Sequence, residues 1–209
     1  NLSLTLNHYT YGFEEAGVEN AYRNSLTMAA WCALIGALLT FAGAYWLEKT
    51  RGADLVRPIV RLQAMLPMAI PGLVLGIGYI LFFNHPANPL NVLYGTMGIL
   101  VLSTIVHFYS SSHLTAVTAL KQLDNEFESV SASLKVPFYK TFWRVTVPVC
   151  LPSIIDISRY YFVNAMTTIS AVVFLYSPKT MLAAISIVQL DEAGAIGSAA
   201  AMATLIVVT

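Results

Sequence analysis

The polar side chains of one apolar segment, residues 152–176, are the best candidates in this sequence for contacting a dissolved solute or ion. Placed at about 100° intervals around an α-helix, they gather toward one side, opposite Phe162, Met166, Ile169 and Val173. Charged and amide groups are costly in hydrocarbon, so this side is expected to face a protein interior or a water-filled cavity. The residues of this polar stripe are Asp156, Arg159, Asn164, Thr167, Thr168 and Ser170.

The polar stripe also has a purely structural interpretation. Asp156 and Arg159 lie three residues apart and can pair with each other, and hydroxyl groups can bond back to their own helix. Asn164 favours the functional interpretation, because it lies near the middle of the segment and cannot easily reach water. Both interpretations remain open from the residues alone.

Patterns for covalent chemistry or metal binding are not recognisable in the sequence. His107 and His113 are six residues apart, about 240° around a helix, and do not converge on one metal. The glycine-rich phosphate loop of an ATPase does not occur, and no nucleophile, base and orienting group stand at a recognisable spacing. We therefore expect no enzyme activity and no cofactor in this chain.

Composition indicates a membrane protein. Of 209 residues, 57% are apolar and 11% are charged, and the mean hydropathy is +0.68. The 11 basic residues balance 11 acidic residues, so no excess of positive charge points to nucleic acid. The predicted fold class is an all-α, polytopic transmembrane bundle forming a single domain over residues 1–209.

Five apolar stretches are the elements that must position the polar stripe. Each of the first four can cross a hydrocarbon core of about 30 Å as a helix. The last has about 16 residues where a span needs roughly 20, so we expect the chain to be an incomplete piece of a longer protein. The predicted spans are 26–47, 59–83, 95–120, 152–176 and 194–209.

The second stretch is interrupted by Pro67, Pro71, Gly72, Gly76 and Gly78. Pro71 removes a backbone donor and is expected to kink the helix, while Gly72 and Gly76 allow a neighbouring helix to come close. A packing seam and a gating hinge are both compatible with this pattern.

The distribution of basic residues predicts the orientation in the membrane. Nine of the 11 basic residues flank the first and third connections between spans, which the positive-inside rule makes cytoplasmic. These nine are Lys49, Arg51, Arg57, Arg61, Lys121, Lys135, Lys140, Arg144 and Arg159.

The cytoplasmic loop 121–151 is predicted to hold two short amphipathic helices. Asp124 can cap the first helix, which stops before Pro137, and Pro137 suits the first turn of the second. Their apolar stripes are Phe127, Val130 and Leu134 on the first helix and Phe138, Phe142 and Val145 on the second. These stripes could dock a cytoplasmic partner, cover the inner ends of the protein's own spans, or lie in the lipid interface.

The segment 142–148 resembles the end of the EAA loop in permease subunits of binding-protein-dependent ABC importers. Leu134 falls on the leucine of that pattern, whereas Ser129 stands where glutamate is expected and Lys135 where glycine is expected. The segments 22–26, 66–72 and 190–194 resemble the branch containing iron(III), thiamine and 2-aminoethylphosphonate permeases, with the last type closest in overall look.

This resemblance implies a multi-pass subunit of the bacterial inner membrane that lines the path of a small solute, best matched to 2-aminoethylphosphonate or a related phosphonate. The implied partners are cytoplasmic ATPase subunits that bind ATP and Mg²⁺, a second permease subunit or half, an external solute-binding protein and membrane lipid. Leu134, Val136 and Phe138 would be apolar anchors for the ATPase, with Glu128 and Lys135 at the rim. The implied docking residues are Glu128, Ser129, Ser133, Leu134, Lys135, Val136, Pro137 and Phe138.

Two alternatives from other classes remain at this point. In a secondary transporter, Asp156, Arg159 and Asn164 would bind a coupling ion, and the interrupted second span would fit. That class explains the cytoplasmic loop poorly. In a membrane scaffold, the polar stripe would be unnecessary.

Overall fold

The computed structural model describes residues 9, 18–49, 55–123 and 126–209, apart from the side chains of Glu126 and Glu128. Within these residues every regular element is a helix, so the predicted all-α class is confirmed. The predicted cap at Asp124 lies outside the described residues. In chain order the helices are α1 (Val18–Lys49), α2 (Arg57–Ala69), α3 (Gly72–Phe83), α4 (Met97–Gln122), α5 (Glu126–Ser133), α6 (138–149), α7 (Leu151–Thr167), α8 (Ala183–Glu192) and α9 (Ile196–Val208).

Helix α1 contains a π-helical turn at Cys32–Gly36, where the backbone is wider than in an α-helix. Gly36, at the end of this turn, faces the ring of Tyr161 in α7. Tyr161 is fully buried, and its hydroxyl lies 2.9 Å from Oγ1 of Thr40 in α1. A small residue at position 36 therefore lets a large aromatic residue pack directly against the backbone.

The predicted second span is two helices rather than one kinked helix. Helix α2 stops at Ala69, Ile70 is extended with φ −102° and ψ 121°, and α3 restarts after Pro71. Pro71 has no N–H to continue the helical ladder, and it disfavours the helical conformation at the residue before it. Gly76 in α3 lies against Phe174, which favours the packing interpretation for that glycine.

The last turn of α2 receives a side chain from α4. The Ser110 hydroxyl accepts a hydrogen bond from the Met68 N–H at 3.2 Å and donates to the Ala64 carbonyl at 2.7 Å. Met68 and Ala64 are four residues apart and are the two partners of one α-helical hydrogen bond. Ser110 therefore supports the helix just before it ends.

Helix α7 is shorter than the predicted span 152–176, because it ends at Thr167 and turns follow. Thr168 and Ser170 therefore lie beyond the helix, and their predicted positions around it are wrong. A side-chain donor from another helix satisfies one backbone carbonyl in the turns that follow. The hydroxyl of Ser103 in α4, which is buried, donates to the Ala171 carbonyl at 2.8 Å.

Helix α8 is tied to the start of α1 by two consecutive polar residues. The Asn24 amide donates to the carbonyl oxygens of Lys179 and Met181, each at 3.0 Å. Ser25 Oγ accepts from the N–H of Ala183, the first residue of α8, at 2.8 Å. Beside this junction a small core unites α1, α8 and α9, and it is made by Val18, Ala183 and Met202 with Tyr22, Ile187, Leu190, Leu205 and Ile206 around them.

The chain divides into two compact units. One comprises Asn1–Cys32, Pro71–Ile105 and Phe162–Thr209 and includes the core at α8 and α9. The other comprises Ala33–Ile70 and Val106–Tyr161 and includes Tyr161 and the described residues of the loop 121–151. Among the described helices, α1 is long and apolar enough to cross a membrane alone, and α2 with α3 meets that criterion as an interrupted pair.

Candidate functional site

The loop 121–151 contains the two predicted short helices, α5 and α6, joined by a tight turn. Helix α5 ends in a Schellman motif, in which the Val136 N–H donates to the Ser131 carbonyl at 2.9 Å and the Lys135 N–H to the Ala132 carbonyl at 3.0 Å. Lys135 occupies the left-handed position of this motif with φ 53°. Glycine normally occupies that position, because a side chain there is crowded by the backbone.

The predicted apolar anchors of the loop are exposed. Leu134 is 70% exposed, Phe138 is 75% exposed and Val136 is 38% exposed. Ser129 and Ser133 lie on the exposed side of α5, where the Ser133 hydroxyl donates to the Ser129 carbonyl at 2.9 Å. Pro137 caps α6 with φ −60° and ψ 140°, and the Glu128 side chain lies outside the described residues. Three large apolar side chains are thus presented together at the tip of the loop.

A groove of about 730 Å³ separates α5 from α6. Its lining residues repeat at three- and four-residue intervals on both helices, so one face of each helix forms a wall. The walls are mainly apolar, with basic residues among them. The groove, called the loop groove below, is lined by Phe127, Val130, Ser131, Leu134, Lys135, Val136, Pro137, Lys140, Thr141, Arg144 and Val145.

The stripe predicted on the first loop helix lies in the loop groove, but the stripe predicted on the second does not form one surface. Phe138 is exposed, Val145 lines the loop groove, and Phe142 packs against α1. The Phe142 ring centroid lies 4.7 Å from that of Tyr45 and 6.1 Å from that of Phe41. A π-helical turn at Phe142–Thr146 changes the spacing between Phe142 and Val145, on which part of the prediction rests.

The described part of the loop has no evident centre for oxidation or metal chemistry. Burial raises the pKa of the Cys150 thiol above its ordinary value of 9.0, and the charge of Lys49 lowers it in part. The thiol is therefore protonated near neutral pH and behaves as a packing residue. Among the described residues, no three His, Cys, Asp or Glu side chains converge as metal ligands would.

The polar stripe combines local pairing with one central amide. Asp156 and Arg159 pair at 3.2 Å, with side chains 60% and 76% exposed. Thr167 donates from Oγ1 to the Val163 carbonyl at 3.1 Å. For Asp156, Arg159 and Thr167, these bonds are the ones that the purely structural interpretation predicts.

The other stripe residues differ in burial. Asn164 is partly buried on α7, Thr168 is 7% exposed and Ser170 is partly buried in the following turn. The structure therefore places Asn164 and Thr167 on one helix and leaves Thr168 and Ser170 outside it.

Comparison with solved structures identifies the fold. The chain superposes with a TM-score of 0.82 on a chain from the crystal structure of a bacterial alginate ABC transporter in complex with alginate pentasaccharide-bound periplasmic protein. The match covers 98% of this chain and 78% of that chain at 17% sequence identity. The fold is that of an ABC importer permease.

The sequence comparison identifies the family. The chain belongs to the family described as binding-protein-dependent transport system inner membrane component, whose model matches residues 36–209. The predicted resemblance to permease subunits of these importers is thereby confirmed. Members of this family are permease components and not themselves enzymes.

Relatives with named substrates fall into two groups. The ferric transport system permease protein FbpB of Actinobacillus pleuropneumoniae is 32% identical over 209 residues, which are 99% of this chain and 30% of that protein. The putative 2-aminoethylphosphonate transport system permease protein PhnV of Salmonella typhimurium (strain LT2) is 25% identical over 204 residues, covering 98% of this chain and 75% of that protein. This chain therefore spans less than a third of the length of the ferric relative.

Proposed function

We propose that this permease works in an ATP-driven importer of the bacterial inner membrane and that the cytoplasmic loop is where a separate ATPase subunit docks. The observation that carries the proposal is the exposure of Leu134 and Phe138 at the tip of the loop beside the loop groove. Large apolar side chains on a helical surface are typical anchors for a partner's cleft. A solute-binding protein outside and a second permease subunit or half complete the proposed importer, within membrane lipid.

Capture of the ATPase subunit by the full-length permease tests this proposal. Wild type is expected to retain the ATPase in detergent, whereas Leu134→Asp with Phe138→Asp is expected to lose it, since charges would enter an apolar cleft. Val92→Asp is the matched control, because Val92 is 76% exposed and lies in the Pro89–Leu93 turn outside the loop. Equal capture by wild type and the double variant would contradict the docking role.

For the solute, the first candidate is iron(III) and the second is 2-aminoethylphosphonate or a related phosphonate. Iron(III) is supported by the ferric relative, which is 32% identical over nearly the whole chain. The phosphonate is supported by a relative at 25% identity over a similar length. Proteoliposomes that hold the full importer and its binding protein should accumulate iron(III) or the phosphonate only when ATP is present inside. Uptake driven by an ion gradient alone would contradict the proposal of an ATP-driven importer.

The proposed path for this solute includes Asn164 and Thr167 on α7. Asn164 is the support for this assignment, because its amide is partly buried in a helix of a membrane protein. Asp156, Arg159, Thr168 and Ser170 complete the proposed set.

A further inference from the structure

The backbone at Lys135 is unusual for a lysine. Among the described residues, Lys135 alone has a positive φ without being glycine. A residue held in a sparsely populated conformation is a reason to ask what its side chain does. The Schellman motif at the end of α5 needs the left-handed backbone, but nothing in that motif needs an ammonium group.

The described charges that line the loop groove are all basic. Lys135 extends from the turn, and Lys140 and Arg144 follow on α6 four residues apart. None of the described side chains that line the groove is acidic, and within the described part of the chain these three cations have no carboxylate partner. An occupant of the groove would therefore meet the positive charges of these three residues.

The walls between these charges are apolar. Phe127, Val130 and Leu134 form the α5 side, and Val145 lies on the α6 side. Ser131 and Thr141, the hydroxyl residues of the groove, are hydrogen-bonded to each other. The groove therefore suits an apolar side chain flanked by carboxylates, a combination found on the surface of a protein partner.

We propose that the loop groove receives an apolar side chain of the ATPase subunit, flanked by acidic residues, and that Lys135, Lys140 and Arg144 select that subunit by charge. This inference rests on the proposed docking function. Charged groups at the edge of an interface mainly govern specificity and the salt dependence of association. The permease would thus distinguish an ATPase that carries acidic residues beside this apolar side chain from one that does not.

The selection of the ATPase by charge is tested by a binding experiment. Binding of purified ATPase to the full-length permease in phosphatidylcholine nanodiscs is measured at several salt concentrations. The neutral variant combines Lys135→Asn, Lys140→Gln and Arg144→Gln, with asparagine chosen because it tolerates the left-handed backbone. The control neutralises three cations outside the groove, Arg23→Gln, Lys121→Gln and Lys179→Gln.

At low salt the neutral variant should bind about tenfold more weakly than wild type, and its affinity should change little with salt. The control should keep both the affinity and the salt dependence of wild type. Equal affinity and salt dependence for wild type and the neutral variant would overturn the selection while leaving docking intact. Failure of wild type to bind would instead overturn the proposed function and this inference with it.

A second set of nanodiscs containing phosphatidylglycerol separates protein from lipid as the occupant. If the neutral variant bound the ATPase normally but lost enrichment of phosphatidylglycerol around the permease, the groove would be a lipid site and the proposal would be wrong. Charge-dependent binding of the ATPase in phosphatidylcholine alone supports the proposal.

Discussion

Gly36 and the ring of Tyr161 lie so close together that a Cβ atom at position 36 would come within 2.9 Å of the ring. Tyr161 is fully buried, so its ring has little room to withdraw. The pair joins α1 to α7 within one compact unit.

Gly36→Ala should therefore destabilise the protein although alanine favours helices. The added methyl group overpacks the site, and we expect a loss of about 1–3 kcal/mol, seen as a lower midpoint in thermal unfolding in detergent. Gly78→Ala is the matched control, since no atom lies within 4 Å of the Cβ position there. If both variants unfold at the same temperature, the close approach has no energetic consequence.

Lys135→Gly should stabilise the loop while weakening selection of the ATPase. Glycine removes the steric strain of the left-handed backbone but adds conformational freedom to the unfolded chain. We therefore expect the loop to become more stable by about 0.5–1 kcal/mol. Slower amide exchange at Val136, which donates in the Schellman motif, would report the gain. Faster exchange there would show that the lysine side chain itself holds the turn.

Ser110→Ala should loosen the end of α2. The variant removes one donor and one acceptor from the backbone of Ala64 and Met68, which costs roughly 1–2 kcal/mol when the groups are buried. Amide exchange at Met68 should become faster, and exchange within α3 should not change. Ser111→Ala is the neighbouring control, because Ser111 is less buried and its backbone carbonyl, which accepts from the Thr115 hydroxyl in the same helix, is unchanged by the substitution.

Phe142→Ala should leave docking of the ATPase intact but weaken the coupling between the docked ATPase and the permease. The ring packs on Phe41 and Tyr45, and its loss removes aromatic contacts worth about 0.5–1.5 kcal/mol each. Because Leu134 and Phe138 are untouched, ATPase capture should persist, while stimulation of ATP hydrolysis by the loaded binding protein should fall. Loss of capture would mean that Phe142 shapes the docking surface itself.

Asn164→Leu with Thr167→Leu should reduce solute uptake without impairing assembly. Both changes make α7 more apolar, so folding should be retained, whereas a polar path would lose its partners for the solute. Val163→Leu, on the exposed side of the same helix, is the control. Uptake at the wild-type level by the double variant would remove these residues from the proposed path.

The helical loop could be predicted because its signals are local. Pro137 separates two short amphipathic patterns, and the structure ends α5 and begins α6 around it. The interruption near Pro71 follows from the same kind of signal, the loss of a backbone donor. Elements of this kind depend on residues that are neighbours in the sequence.

Features that depend on distant residues escaped prediction. In the turns after α7, the Ala171 carbonyl accepts from the hydroxyl of Ser103, more than sixty residues earlier. A π-helical turn, which has no simple sequence signature, runs from Phe142, which packs on α1, past Val145, which lines the loop groove. Asn24 and Ser25 lie in a segment that resembles the family, but the resemblance did not predict their contacts. They hydrogen-bond to Lys179, Met181 and Ala183, just before and at the start of α8.

The exposed Phe138 and the packed ring of Phe142 lie close together along α6, and this short distance decides how stiff the loop is. Phe138 and Phe142 are one helical turn apart, so the backbone between them is too stiff to act as a spring. A displacement of Phe138 would therefore also move Phe142 and its contacts with Phe41 and Tyr45 of α1. The exposed tip of the loop and its contact with α1 thus belong to one short, rigid segment.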